Sequence, residues 1–201
     1  MIFAGFIVAE CPLKEDTLGV MKELKDSSHE VKMITGDNAM TAAFIGQQLN
    51  FGRGPSVFAV EANQQTCKII WRDINEKLVT TTNSAAEVGK LAQSHMLCVN
   101  GDVLERIILS SAAATTMRWI DVFSRTSPAQ KGIIVGMLNQ EGYFTLMCGD
   151  GTNDVGSLKQ ANVGVAIVNN PEPTKEQKAE RKKMSMWPDK KKMVGMTPQQ
   201  K

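Results

Sequence analysis

The stretch Tyr143–Val168, YFTLMCGDGTNDVGSLKQANVGVAIV, constrains what this chain can fold into more than any other. Tyr143–Cys148 is a short apolar run with two aromatic residues and a Thr, the composition of a buried strand. Gly149-Asp150-Gly151 stops it, since glycine tolerates backbone angles that other residues avoid. Asn153 or Asp154 can cap a new helix, Leu158, Lys159 and Ala161 continue it, and Gly164 is expected to close it. Ala161–Val168 is apolar again and reads as the next strand. Strand, acidic turn, helix and strand make a βαβ unit. Its turn falls at the carboxyl end of a parallel strand, where open α/β sheets place their ligands.

The turn carries specific chemistry. A phosphate-binding turn ordinarily offers backbone N–H groups and a Lys, whereas this one offers the carboxylates of Asp150 and Asp154. Two carboxylates at the mouth of a strand repel each other and any anionic ligand unless a hard cation joins them. Mg²⁺ suits the position, with a few carboxylates, waters and a substrate phosphate completing its shell. The plainer alternative is a solvated acidic turn. Gly-Asp-Gly-x-x-Asp directly after a hydrophobic strand is too patterned for that to be the common case.

At 201 residues the chain is long enough for one well-buried domain, or one domain with a small insertion. The net charge of +2 hides an asymmetry, because residues 169–201 hold nine Lys/Arg against four Asp/Glu. That Pro-, Lys- and Met-rich segment has no periodicity and reads as a disordered tail or linker. Attraction to an anionic membrane face is its functional reading and a solvated tail is the other. No apolar run approaches the ~20 residues of a membrane span, and Met1–Ala9 lacks the basic start and cleavage site of a signal peptide. The chain as written is therefore expected to be soluble. Cys11, Cys67, Cys98 and Cys148 form no C-x-x-C pair, which points to reduced thiols in a cytosolic compartment rather than a zinc or disulfide framework. His29 and His95 have no ligand partners at useful spacing, and no nucleic-acid partner is expected.

Taken in order, Ile2–Ala9 reads as a buried strand ended by Pro12. Asp16 or Thr17 then caps a helix with Leu18, Val20, Met21 and Leu24 on its inner face. Val31–Thr35 is a second strand, followed at once by Gly36-Asp37-Asn38 and an Ala-rich helix over Ala39–Leu49. This puts a hydroxyl, a tight glycine and a carboxylate at the same carboxyl edge as the Asp150 turn, where Thr35 can hydrogen-bond a phosphoryl oxygen. Val57–Ala62, Cys67–Asp73 and Lys77–Thr82 alternate and carry β-branched residues, predicting a small antiparallel meander inserted into the main domain. Ala85–Ala92 and Ala112–Trp119 are predicted helices, and Met96–Val99 and Ile120–Ser124 predicted strands. Asn100-Gly101-Asp102 invites a site reading, but a turn and helix cap is favoured. Ser127 is a good N-cap with Pro128 at the first helical position. Lys131 then lies in the first turn, where the helix macrodipole disfavours a cation unless an anion is near; an indifferent surface lysine is the alternative.

Thr35-Gly36-Asp37-Asn38, Lys131 and Gly149-Asp150-Gly151-Thr152-Asn153-Asp154, in that order, resemble the haloacid-dehalogenase-type phosphorylation domain of the P-type ATPases. Finer features are similar to the endoplasmic-reticulum type V-A branch, the transmembrane-helix dislocases: Gly5–Val8 leading to Cys11–Lys14, the Cys67–Leu78 hairpin with Trp71-Arg72, and the run Tyr143–Val155. The resemblance implies a Rossmann-like parallel sheet with helices on both faces and a small β-hairpin insertion at about 55–83. Residues 1–168 would be a partial phosphorylation domain, cytosolic, in a parent resident in the endoplasmic reticulum membrane. It also implies roles. Thr35 and Lys131 would hold the phosphoryl group, Asp150 would ligate Mg²⁺, and Asn153 and Asp154 would position the metal shell, Asp154 as a second metal-site carboxylate. Gly36 and Asp37 would serve the ATP phosphates. The implied reaction is attack of an aspartate on the γ-phosphate of ATP followed by hydrolysis of the aspartyl-phosphate.

One departure limits this. The family's nucleophile lies in an Asp-Lys-Thr-Gly-Thr motif, and the sequence contains no Asp-Lys-Thr and no Asp-x-Asp. Asp16-Thr17-Leu18-Gly19 is the nearest imitation, without the Lys. The central nucleophile strand is thus expected to be absent, along with the nucleotide-binding, actuator and transmembrane parts of the parent, and the piece alone is expected to be inactive. The alternatives are a haloacid-dehalogenase-type phosphatase, which would need the missing Asp-x-Asp, and a non-catalytic module that binds a partner through its basic tail.

Overall fold

Met96–Asn100 is apolar at nearly every position, and Met96, Leu97, Cys98 and Val99 are all buried. A strand buried on both faces must lie inside a sheet covered on both sides. The computed structural model, which describes Gly5 and residues 12–167, builds that sheet. The strand expected over Ile2–Ala9 and the tail expected over 169–201 lie outside the described residues. In chain order the elements are α1 (Thr17–Asp26), β1 (Met33–Ile34), α2 (Ala39–Gln48), β2 (Ser56–Ala62), β3 (Ile69–Arg72), β4 (Leu78–Thr82), α3 (Ala85–Ala92), β5 (Met96–Asn100), α4 (Gly101–Ile108), α5 (Ala113–Met117), β6 (Val122–Ser124), α6 (Pro128–Gln140), β7 (Leu146–Gly149), α7 (Val155–Gln160) and β8 (Val163–Ala166).

Six strands form one sheet in the order β1-β6-β5-β2-β3-β4. The first four run parallel, with Met33 opposite Val122, Val122 opposite Cys98, and Val57 opposite Leu97. Alternation along these strands divides the core in two. Met96, Cys98 and Val122 face α2 with Ala42, Ala43, Leu49 and Phe51. Val57, Leu97, Val99 and Phe123 face the other way, onto Val103, Leu104, Ile107, Met117 and Ile134 of α4, α5 and α6. This is the α/β architecture with helices on both faces that the sequence implies.

The expected meander is present, but it does not stand apart from the core. β2 pairs in parallel with β5 on one edge and antiparallel with β3 on the other, so the hairpins extend the main sheet. Trp71 is fully buried in the larger core cluster, with its indole N–H donated to Thr82 Oγ1 at 3.0 Å. An aromatic ring that size buries much of the available surface at the sheet's outer half.

Two expectations about helices need correction. α1 forms from Thr17, yet it has no fully buried residue: Leu18, Val20 and Leu24 are exposed and only Met21 packs, partly, against the core. Its apolar positions are not covered by any described element. Gly164 does not close α7, which ends at Gln160; the glycine lies within β8, where a Cβ would press on Leu158's backbone.

Among the described residues, β1 pairs only with β6, and β7 pairs only with β8 in a separate two-stranded sheet. The β7–β8 pair is poorly covered, with Phe144 at 79% and Leu146 at 64% exposure and Val163, Val165 and Ile167 also exposed. Among the described residues β1 and the β7–β8 pair therefore keep unpaired edges.

Candidate functional site

The expected site residues lie after β1 and β6 of the parallel sheet and after β7 of the two-stranded one. β1 runs into Thr35-Gly36-Asp37, where the Thr35 hydroxyl donates to Asp37 Oδ2 (3.0 Å) and accepts from the Asp37 N–H (3.1 Å). Asn38 Oδ1 accepts from the Met40 N–H and caps α2, as Asn does at this position. Thr35 is half-buried, while Gly36 and Asp37 are exposed.

β6 ends at Ser124, and the next residues are stitched to that turn. The Arg125 N–H donates to the Asp37 carbonyl (3.0 Å), and Thr126 donates twice to the Thr35 carbonyl, from its N–H (3.1 Å) and its Oγ1 (2.9 Å). Arg125 is held at φ +47, the left-handed region that a non-glycine residue enters only when its surroundings over-determine it. Ser127 then caps α6 with Pro128 in the first turn, as the sequence predicts. A reciprocal bond closes a capping box: the Gln130 N–H donates to Ser127 Oγ (3.3 Å) and the Ser127 N–H to Gln130 Oε1 (2.9 Å).

Lys131 follows, one turn into α6. The anion that satisfies it in this structure is Asp154, with Lys131 Nζ donating to Asp154 Oδ1 at 2.7 Å. The pair is withdrawn from water, at 12% and 9% side-chain exposure. Lys131's hydrogen bond and charge, together with the Gly151 N–H, hold the Asp154 carboxyl below the ordinary carboxylate range against the opposing effect of burial. Asp154 reaches this position because β7 ends at Gly149 and Thr152–Asp154 turns as a short 3₁₀ segment into α7. Gly149 has to be glycine there, since a Cβ would lie 2.7 Å from the Cβ of Asp154.

The turn therefore divides its two carboxylates. Both Asp154 oxygens are engaged inside the protein, Oδ1 by Lys131 and Oδ2 by the Gly151 N–H at 3.3 Å. Asp150 and Asn153 are exposed. Among the described residues no three His, Cys, Asp or Glu side chains come close enough to hold a metal unaided. A site with one free carboxylate fits Mg²⁺, which keeps several waters and takes substrate phosphates as ligands. It fits with Asp150 as the ligand. Asp154, the second carboxylate expected at the metal, keeps a further lone pair on each oxygen beside its bonds to Lys131 and the Gly151 N–H.

Asn100-Gly101-Asp102 has the role favoured for it. Asn100 Oδ1 accepts from the Val103 N–H at 2.9 Å and caps α4. Sequence reasoning passed over Thr126 and Gln130, both buried at the same edge. For Gln130 the signal was present in Ser127-x-x-Gln130, the capping-box spacing.

No protein-family model matches the chain. Over 192 residues it is 40% identical to the probable manganese-transporting ATPase PDR2 of Arabidopsis thaliana, a match covering 92% of this chain and 16% of that protein. It is 40% identical over 172 residues to the endoplasmic reticulum transmembrane helix translocase spfA of Aspergillus fumigatus, covering 84% of this chain and 13% of the relative. With the endoplasmic reticulum transmembrane helix translocase of Saccharomyces cerevisiae it shares 34% identity over 188 residues, again 92% of this chain and 16% of the relative. The chain thus spans a small part of the length of the proteins it matches.

Proposed function

We propose, from the premise that this chain belongs to the P-type ATPases, that residues 12–167 are the part of a cytosolic phosphorylation domain that holds the phosphoryl group and its Mg²⁺. Residues 1–168 as a whole form that partial domain, and 169–201 a basic linker or tail. The parent ATPase sits in the endoplasmic reticulum membrane and uses ATP to move its cargo; the nucleotide-binding, actuator and transmembrane parts come from elsewhere in its polypeptide. Two of the relatives carry names for helix translocation and one for manganese transport, and helix translocation is the cargo reading preferred here. Among the described residues no helix is long and apolar enough to cross a membrane.

The observation that carries the reading is the Lys131–Asp154 pair at the carboxyl edge, tied by hydrogen bonds to the loop that holds Thr35. Lys131 offers its cationic head to a phosphoryl oxygen, and Asp154 keeps it aimed. Thr35 offers its hydroxyl to a second oxygen, and Gly36 and Asp37 face the phosphate side of the nucleotide. Asp150 and the exposed Asn153 hold Mg²⁺ and its waters. When bound, the ion neutralises charge on the transferring group. These residues stabilise a transfer but include no acceptor for it, and among the described residues β1 pairs only with β6 and β7 only with β8.

The test is acid-quenched phosphoenzyme formation from Mg·ATP in the ATPase that carries this segment. Lys131→Ala is expected to lower the rate of label incorporation by at least about 10²-fold, the scale of losing one preorganised electrostatic contact to the reacting group. An ordinary rate in that variant would remove Lys131 from the site.

A further inference from the structure

Among the described residues Gln130 is the one buried side-chain amide, 7% exposed, and all of its side-chain polar atoms have partners. Its Oε1 accepts from the Ser127 N–H (2.9 Å), and its Nε2 donates to the Gly101 carbonyl (3.0 Å) and to Glu105 Oε1 (3.3 Å). This joins the first turn of α6 to the first turn of α4. The segment between them, Arg125–Ser127, is gripped on its other side by the Thr35–Asp37 turn through the three bonds from Arg125 and Thr126. Gly101 makes the approach possible: a Cβ there would clash with the Arg125 carbonyl oxygen and lie 2.9 Å from Gln130 Oε1.

We propose that Gln130 is a positioning residue for the phosphoryl site, fixing the first turn of α6 so that Lys131 and Thr35 address one phosphate together; this rests on the role given to Lys131 above. The chemistry explains the residue type. One end must accept from a backbone N–H while the other donates to a backbone carbonyl, which an amide does and a carboxylate cannot. Lys131 is the next residue along the same turn, so any rotation of that turn moves Nζ. A misplacement of about 1 Å in a reacting assembly can cost on the order of 10²-fold in rate.

Phosphoenzyme formation from Mg·ATP in the full ATPase tests this, with ATP affinity measured alongside by a fluorescent nucleotide analogue. Gln130→Ala is expected to slow phosphorylation about 10²-fold while ATP affinity stays within about two-fold. Gln130→Glu sets a second carboxylate against Glu105 Oε1 and the Gly101 carbonyl and is expected to recover none of that loss. The double variant Gln130→Ala/Lys131→Ala should be no slower than Lys131→Ala alone, because a residue acting through Lys131 has nothing left to act on. A Gln130→Ala protein with the ordinary rate overturns the proposal, and so does a double variant that falls well below Lys131→Ala, which marks a general structural role. If Lys131→Ala itself phosphorylates normally, the underlying reading of the site fails and the proposal with it. Should Gln130→Ala not bind nucleotide, Gln130→Met, of similar length without the polar atoms, carries the same comparison.

Discussion

Two lysines sit at opposite ends of the same parallel strands, and the sheet treats them differently. Lys32 precedes β1 at the amino-terminal end, where its Nζ donates to the carbonyls of Arg118 (2.6 Å) and Ile120 (2.8 Å). Burial pulls its pKa below the ordinary lysine value, with Asp121 and Glu30 opposing. Asp121 in turn accepts from the Leu97 N–H at 2.9 Å, so this end is a closed set of backbone contacts. Lys131 lies at the carboxyl-terminal end, paired with a carboxylate in a turn that also exposes Asp150. A lysine locked onto carbonyls fastens loops together. A lysine held by a single carboxylate beside an exposed one is the arrangement proposed above to hold a phosphate.

The largest expected effect separates the two ends by activity. Asp150→Asn should slow Mg²⁺-dependent phosphorylation by several orders of magnitude, since about 4–8 kcal/mol of charge stabilisation is lost. Lys32→Met at the other end should leave the rate per folded molecule within about two-fold. Acid-quenched label incorporation checks both, and a near-normal Asp150→Asn would mean that the ion is held elsewhere.

Stability should follow the same order. Lys131→Met strands the Asp154 carboxylate in a dry position, and breaking a buried pair this way costs about 3–5 kcal/mol. Lys32→Met leaves two backbone carbonyls short of a donor but also removes a buried charge, so a smaller loss of about 1–3 kcal/mol is expected. Urea unfolding of the 201-residue chain measures the difference. Equal losses would erase the distinction between the two ends.

The pH response should have opposite signs at the two ends. Asp154 has a depressed folded pKa, so its contribution is complete above the unfolded value of about 4 and is lost as pH falls through the folded one. Asp121 is raised, chiefly by burial, so its ionised form costs stability; that cost is relieved as pH falls through its folded pKa towards about 4. Asp121→Asn should remove the gain in mild acid, and Asp154→Asn should flatten the loss below it, each read from midpoint against pH. The smallest effect is chemical. Cys98, between the two ends in β5, has its thiol pushed up to about 12 by burial and should resist alkylation at pH 8, while the exposed Cys148 reacts.

Much of this was legible from residue order. The periodic runs placed α3 where it is found, Ser127-Pro128 located the start of α6, and the alternation over residues 57–82 gave three strands. Their attachment was not legible. β2 pairs in parallel with a strand that comes after the meander, and local alternation says nothing about a partner some forty residues on. The outward exposure of Leu18, Val20 and Leu24 was also hidden, because an amphipathic pattern states that a face wants covering, not that a described element covers it. At the site, Thr35, Asp37, Lys131, Asp150 and Asp154 could be picked out as residues with chemistry. Which of the two carboxylates Lys131 reaches needed coordinates.

The central claim is that this chain supplies the Mg²⁺- and phosphate-holding half of a phosphorylation site whose acceptor lies outside it. Mapping the phosphorylated peptide of the full ATPase after incubation with γ-labelled ATP and acid quench tests that directly. The account predicts the label on an aspartate in a peptide outside residues 1–201, lost on Asp150→Asn or Lys131→Ala. Label on any aspartate within residues 1–201 would contradict it.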